Sequence, residues 1–274
     1  SMQILGASAS NNVAMKGDGG FLFSRFAAPI LLRNVTIEKS TTSANGGGGG
    51  LAVYSTRFAL ANVDITDCQA GKNGGAGILL NGEAEGHLFG GVLKNNKAEF
   101  NGGHILSAAS TLIVHDESSV LTWPDQQPVF IEPYDLTSSV ATVMLNGVSS
   151  SSGGSISCVA SKSDPVLRIY ENKNVGAACA SNLYPFYANL YTFNKPADSP
   201  GRKLFLCPYK GVYVGKGTKI QDSTATKDGG AVSANLCSIE MFTTVIKNAS
   251  SLNGDGGAIM VCRWHEQISN QVVG

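Results

Sequence analysis

The stretch DGGAVSANLCSIEMFTTVIKNASSLNGDGGAIMVC, from Asp228 to Cys262, states one pattern twice: Asp228-Gly229-Gly230-Ala231-Val232, then Asp255-Gly256-Gly257-Ala258-Ile259. Further copies of the Asp/Asn-Gly-Gly signal stand at Asp18, Asn45, Asn73 and Asn101, so the intervals are 27, 28 and 28 residues at the start of the chain and 27 at its end. Ser152-Gly153-Gly154 is a weaker copy, 51 residues after Asn101, or about two periods. A fixed period of this length is the mark of a repeat architecture, in which one supersecondary unit recurs and stacks on its neighbours.

Other positions keep the same register. Eight residues before the Asp/Asn stand Ile37, Ile65, Leu93 and Ile220, and five before it stand Ser40, Cys68, Asn96 and Ser223. Each repeat therefore reads as a short alternating strand, a small polar turn, the Gly-Gly corner and a second short apolar strand such as Ala76–Leu80 or Ala258–Cys262. Period-two alternation is the strand signal. Asn and Asp tolerate left-handed backbone and are expected to close their own turn through their side chains. Glycine accepts positive φ where the coil corners. A sandwich or barrel would give short strands too, but with hairpins every 8 to 12 residues and no long register. The reading is all-β: a right-handed parallel β-helix, or solenoid, with coils of about 27 residues and an irregular, loop-rich middle.

Composition agrees. The 274 residues hold 33 glycines and only 15% charged residues, and Gly, Ser, Thr and Asn are poor helix formers. Twenty basic residues balance twenty acidic ones, which argues against a nucleic-acid partner. No apolar run reaches the roughly 18 to 20 residues that span a bilayer, so no direct membrane insertion by this chain is expected. Residues 1–274 are read as one β-helix domain. The leading Ser-Met looks like a cloning remnant, so the chain is expected to be a piece of a longer protein.

Between Ser110 and Tyr213 the register weakens and prolines collect. Residues 182–214 carry Pro185, Pro196, Pro200 and Pro208 together with eight aromatic residues. Proline cannot donate a ladder hydrogen bond, so this segment is expected to leave the coil as an insertion. Its rings either pack onto the solenoid wall or offer a contact surface, with Tyr184, Phe186, Tyr187, Tyr191 and Phe193 as the candidate partner-binding residues.

Chemistry is sparse. The six cysteines contain no CxxC pair, and no metal site is expected. Cys237 and Cys262, 25 residues apart on adjacent coils, are the candidate disulfide, with unpaired buried thiols as the other ordinary reading. His104 is read as a cover over a coil edge at the position held elsewhere by Ala76, Ala231 and Ala258. His115-Asp116-Glu117 is an acid–base trio in sequence, but neighbours on a strand point to opposite faces and do not converge. Polysaccharide-cleaving solenoids need several carboxylates on one face with a basic residue or calcium. Here the ladder Glu38, Thr66, Lys94, Gln221 and the ladder Lys39, Asp67, Asn95, Asp222 stack none. No catalytic residue and no cofactor are assigned. Asn34-Val35-Thr36 and Asn248-Ala249-Ser250 match the glycosylation pattern, as chance allows in such a composition.

The repeat Ile246–Val261 resembles the polymorphic outer membrane protein family of chlamydiae and their relatives, marked by G-G-A-[ILV] and F-x-x-N tetrapeptides. Gly229-Gly230-Ala231-Val232 and Gly256-Gly257-Ala258-Ile259 fit the first. Gly74-Gly75-Ala76-Gly77 and Gly102-Gly103-His104-Ile105 fit it in part. Leu93-Lys94-Asn95-Asn96 has the spacing of the second with Leu for Phe, and the one literal match, Phe186-Tyr187-Ala188-Asn189, falls in the insertion. The resemblance covers both ends of the chain and not Ser110–Tyr213. It implies a cell-surface or secreted passenger of an autotransporter, a virulence-type adhesin displayed at the outer membrane. Its partner would be a host or neighbouring-cell surface protein or glycan. The expected function is adhesion or rigid display without catalysis, and the alternative is a β-helix polysaccharide lyase or epimerase.

Overall fold

A computed structural model describes residues 2–115, 120–123, 134–137, 140–159 and 211–262. Among them there is no helix. The chain winds as a parallel β-solenoid, and two of its three stacked sheets have seven strands each. One of these, the third face, holds the four-residue strands Leu22–Arg25, Leu51–Tyr54, Ile78–Asn81, Ile105–Ala108, Ile156–Val159, Val232–Asn235 and Ile259–Cys262. The other, the short face, holds two-residue strands from Val13–Ala14 to Ser250–Ser251. The long face has two ladders, joined where Ile30–Glu38 and Arg57–Thr66 run through both.

The stack is in strict register. Ile37 pairs with Ile65, Ile65 with Leu93, Leu93 with Met144, Met144 with Ile220 and Ile220 with Ile246. The first five are at most 2% exposed. Each coil alone would leave this row in water, and stacking buries it in one continuous core. At about 25 cal/mol per Å² of apolar surface removed from water, such rows are the main stabilising term.

Two regular corners explain the repeating residues. The first follows the second ladder of the long face. Asn11, Lys39, Asp67, Asn95, Asn146, Asp222 and Asn248 occupy it in every coil with φ between 50° and 57°. Asn and Asp dominate because their short polar side chains tolerate the left-handed region best among non-glycine residues. The second is the Gly-Gly corner, where Gly19, Gly48, Gly75, Gly102, Gly153, Gly229 and Gly256 each have φ between 62° and 70°. The residue after this glycine lies against the next coil. A Cβ on Gly103 would run into the backbone of Gly154 and Val148.

The structure corrects several expectations. The Asp or Asn before the corner does not close its own turn. Asp18 Oδ1 accepts from Gly47 N at 2.6 Å, Asn101 Oδ1 from Ser152 N at 3.1 Å and Asp228 Oδ1 from Asp255 N at 3.0 Å, so the side chain ties its coil to the next one. The corner in the third coil is Gly75, one residue later than the tetrapeptide 74–77 suggests. His104 therefore aligns with Gly77, Ser155, Ala231 and Ala258, and not with Ala76. The 51-residue step to Gly153 is one coil and not two, because Ile105 pairs directly with Ile156. Extra chain enters between the two ladders of the long face, from Thr111–Val114 to Val143–Leu145, and between the third face and the long face, from Ile156–Val159 to Gly211–Val214. Residues 120–123 and 134–137, in the first of these, form an antiparallel hairpin. Gly211–Val214, expected as the end of the insertion, is a strand of the long face. It pairs with Thr111–Val114 and places Val212 and Val214 in the core, because its small and β-branched residues suit a buried strand.

Candidate functional site

Three groups of polar side chains stand out along the coils. The first is the exposed row at the left-handed corner. Asn95 Nδ2 donates to Asp67 Oδ1 at 3.0 Å, Asn146 Nδ2 to Asn95 Oδ1 at 2.9 Å and Asn248 Nδ2 to Asp222 Oδ1 at 2.9 Å. The backbone conformation puts an amide or carboxylate at the same place in every coil but that of Lys39, and stacking makes neighbours hydrogen-bond partners. The result is a polar strip along the outside of the solenoid.

The second group is inside. The residue after the left-handed corner points into the core, as Ser40, Cys68, Asn96 and Ser223 do. Asn96 Oδ1 accepts from Cys68 N at 2.9 Å, while its Nδ2 donates to Ile65 O at 2.9 Å and to His104 Nδ1 at 2.9 Å. Glycines make the room: a Cβ on Gly77 would meet Asn96 Nδ2, and one on Gly147 would meet the His104 ring. His104 is fully buried, and burial lowers its pKa to about 3. It is a neutral structural imidazole in the core and not an edge cover. Burial likewise raises the Cys68 thiol to about 11, which keeps it protonated and unreactive.

The third group carries the most chemistry. On the first ladder of the long face, side chains at 58, 60, 88, 112 and 114 point into the core. Their alternates Arg57, Glu85, His87, Phe89, Ile113 and His115 therefore point the other way. Register brings Arg57 beside Glu85, with Nε 3.2 Å from Oε1. The same Glu85 oxygen lies 2.8 Å from His87 Nε2, and His87 Nδ1 lies 3.0 Å from His115 Nε2. Phe89 stacks on His115 with centroids 3.8 Å apart. Glu85, His87 and His115 are all buried. Burial pushes the Glu85 carboxyl up, but His87 and Arg57 outweigh it and hold the carboxyl below its ordinary value. Burial, followed by the neighbouring His87, holds His115 well below the usual imidazole range. Sequence reasoning set His115 aside because Asp116 and Glu117 do not converge on it. Its partners come instead from the preceding coil, and the signal for them was the 28-residue separation of His87 from His115.

Tyr184, Phe186, Tyr187, Tyr191 and Phe193, expected to bind a partner, lie outside the described residues. The expected Cys237–Cys262 bridge is replaced by Cys158–Cys237, with Cα atoms 5.8 Å apart. Register is the reason. Cys262 pairs with Asn235, two residues short of Cys237, and is exposed and free. Cys158 on the opposite neighbouring coil points into the core, and Cys237 packs against that core after the turn at Leu236. No group of three or more His, Cys, Asp or Glu that could hold a metal ion is found among the described residues.

The chain matches no family model, no curated protein and no solved structure.

Proposed function

We propose that this chain is a secreted or surface-displayed rod that acts in adhesion or rigid display and not in catalysis. The observation that carries the reading is the exposed, hydrogen-bonded row from Asp67 through Asn95 and Asn146, with its continuation at Asp222 and Asn248. Repeated amides and carboxylates on a rigid support offer donors and acceptors at regular spacing, which suits a glycan or a protein surface. The Cys158–Cys237 bridge fits an oxidising destination outside the cytoplasm.

The resemblance to the polymorphic outer membrane proteins supports the same reading. In Gly229-Gly230-Ala231-Val232, the four positions are the left-handed corner, the close coil contact, a small inward residue and the first core residue of the strand. In Leu93-Lys94-Asn95-Asn96, they are a core residue, an outward residue, the left-handed corner and the inward amide. Both tetrapeptides thus mark corners that such a rod has to make.

The test is binding of the labelled chain to intact animal cells, with and without prior protease or periodate treatment. Saturable binding lost after protease indicates a protein receptor, and loss after periodate indicates a glycan. No saturable binding to any cell type would sink the adhesion reading. If binding occurs, replacing Asn95 and Asn146 by Ala should weaken it without unfolding the coils. Replacing Tyr184, Tyr187 and Tyr191 tests the insertion in the same assay.

A further inference from the structure

We propose that Glu85, His87 and His115 form a proton-operated latch between adjacent coils, which holds with no proton or one proton added to the imidazole pair and opens with two. The geometry sets this count. With both imidazoles neutral, His87 donates its Nε2–H to Glu85 Oε1, 2.8 Å away, and accepts at Nδ1 from the Nε2–H of His115, 3.0 Å away. Every contact then joins a donor to an acceptor.

One added proton keeps both bonds. It enters at His115 Nδ1, and the proton on His115 Nε2 passes to His87 Nδ1. His87 is then an imidazolium that donates to Glu85 on one side and to the lone pair of His115 Nε2 on the other. The positive charge rests against the Glu85 carboxylate, which Arg57 also contacts at 3.2 Å. No bond is lost, and only the direction of the His–His bond reverses.

A second proton ends the arrangement. His87 Nδ1 and His115 Nε2 would both carry hydrogen across 3.0 Å, and two cations would face one another in a buried site. The carboxylate that balances the first charge is on the far side of His87. Phe89 stacks on His115, and Ile113 lies in the strand that ends just before it. Arg33 is one coil further back, in register with Ala61, and Tyr213 aligns with Ile113 on the following coil. In sequence, His115 is followed by Asp116 and Glu117. Relief comes from parting the end of Thr111–Val114 from Glu85–Phe89, where the His115 N–H donates to Leu88 O at 2.9 Å.

Amide exchange on the whole chain, read by mass spectrometry between pH 7 and 4 and corrected for intrinsic rates, tests the latch. A His104→Ala background removes the other buried imidazole. Opening of peptides spanning 85–89 and 111–115 should rise about tenfold per pH unit as acid is added, because opening is coupled to one proton. In His115→Gln, whose amide offers an N–H to His87 but takes no proton, protection at pH 7 should persist and the slope should vanish. An equal slope in His115→Gln, or flat protection down to pH 4 in the parent, overturns the proposal. Should His115→Gln not fold, ¹⁵N titration of the parent imidazoles decides. A protonated His87 with a still-protected His115 amide supports the latch, whereas loss of protection on the first proton refutes it.

Discussion

Asn96 and His104, eight residues apart in sequence, face each other across the inside of one coil, with Asn96 Nδ2 2.9 Å from His104 Nδ1. The amide also bonds the preceding coil through Cys68 N and Ile65 O, so one side chain satisfies groups that no water reaches. Asn96→Ala leaves several buried partners unpaired. It should cost about 2–4 kcal/mol, read from the urea midpoint at unchanged slope. A loss below about 0.5 kcal/mol would show that the internal amide is dispensable.

His104 also fixes an acid limit. Its folded pKa, about 3, lies below the ordinary 6.5, so the unfolded chain binds the proton first. The stability due to neutral His104 is complete above pH 6.5 and falls steadily as pH drops towards 3. His104→Ala, a residue found in register at Ala231 and Ala258, should flatten that part of the curve of melting temperature against pH. An unchanged curve would assign the acid sensitivity elsewhere.

Equivalent glycines should differ sharply. A Cβ on Gly103 meets backbone of two neighbouring segments, whereas one on Gly257, at the same corner position in the last described coil, meets nothing within 4 Å. Gly103→Ala should therefore cost more than about 2 kcal/mol, and Gly257→Ala should stay within about 0.5 kcal/mol. Thermal unfolding of the two variants side by side checks this, and equal losses would contradict the register.

Adjacent residues on one strand give a second contrast. Ile65 is in the core, while Thr66 points outward. Ile65→Ala should lose about 2–5 kcal/mol and Thr66→Ala less than about 0.5 kcal/mol in urea unfolding.

The Cys158–Cys237 bridge closes a loop with a sequence separation of 79. Reducing it should destabilise the chain by about 2–4 kcal/mol. Peptide mapping under non-reducing conditions should recover the two cysteines joined. Recovery of Cys237 joined to Cys262 instead would reverse the assignment.

The solenoid was legible because its physics is repetitive. A corner that needs positive φ recruits Asn, Asp or Gly in nearly every coil, with Lys39 the exception, and Ile37, Ile65 and Leu93 return to one core row. The misreadings arose where spacing does not determine pairing. Glycines on both sides of the corner hid the one-residue slip at Gly75. A 51-residue gap looks like two coils in sequence, but it is one coil with extra chain between two of its strands. The disulfide was misassigned because separation in sequence does not say which side of a strand a thiol faces. The Glu85–His87–His115 cluster is hidden in the sequence because it joins two coils, and the neighbours of His115 along the chain do not reveal it. Its 28-residue spacing is the coil period itself, so the same register that revealed the core rows applied to the polar ones.

Placing the extra chain between strands separates how long the polypeptide is from how far it reaches. The steps from Asn95 to Asn146 and from Asp67 to Asn95 span 51 and 28 residues, yet each climbs the axis by a single strand spacing, roughly 4.8 Å. Seven coils make a column only about 30 Å tall at that spacing. Material added between two strands enters at a chosen height and leaves the heights of the other coils alone. The coil number is thus an address. A segment inserted after Val159 or after Val114 would be carried at a fixed level on the shaft, whatever its own length or composition.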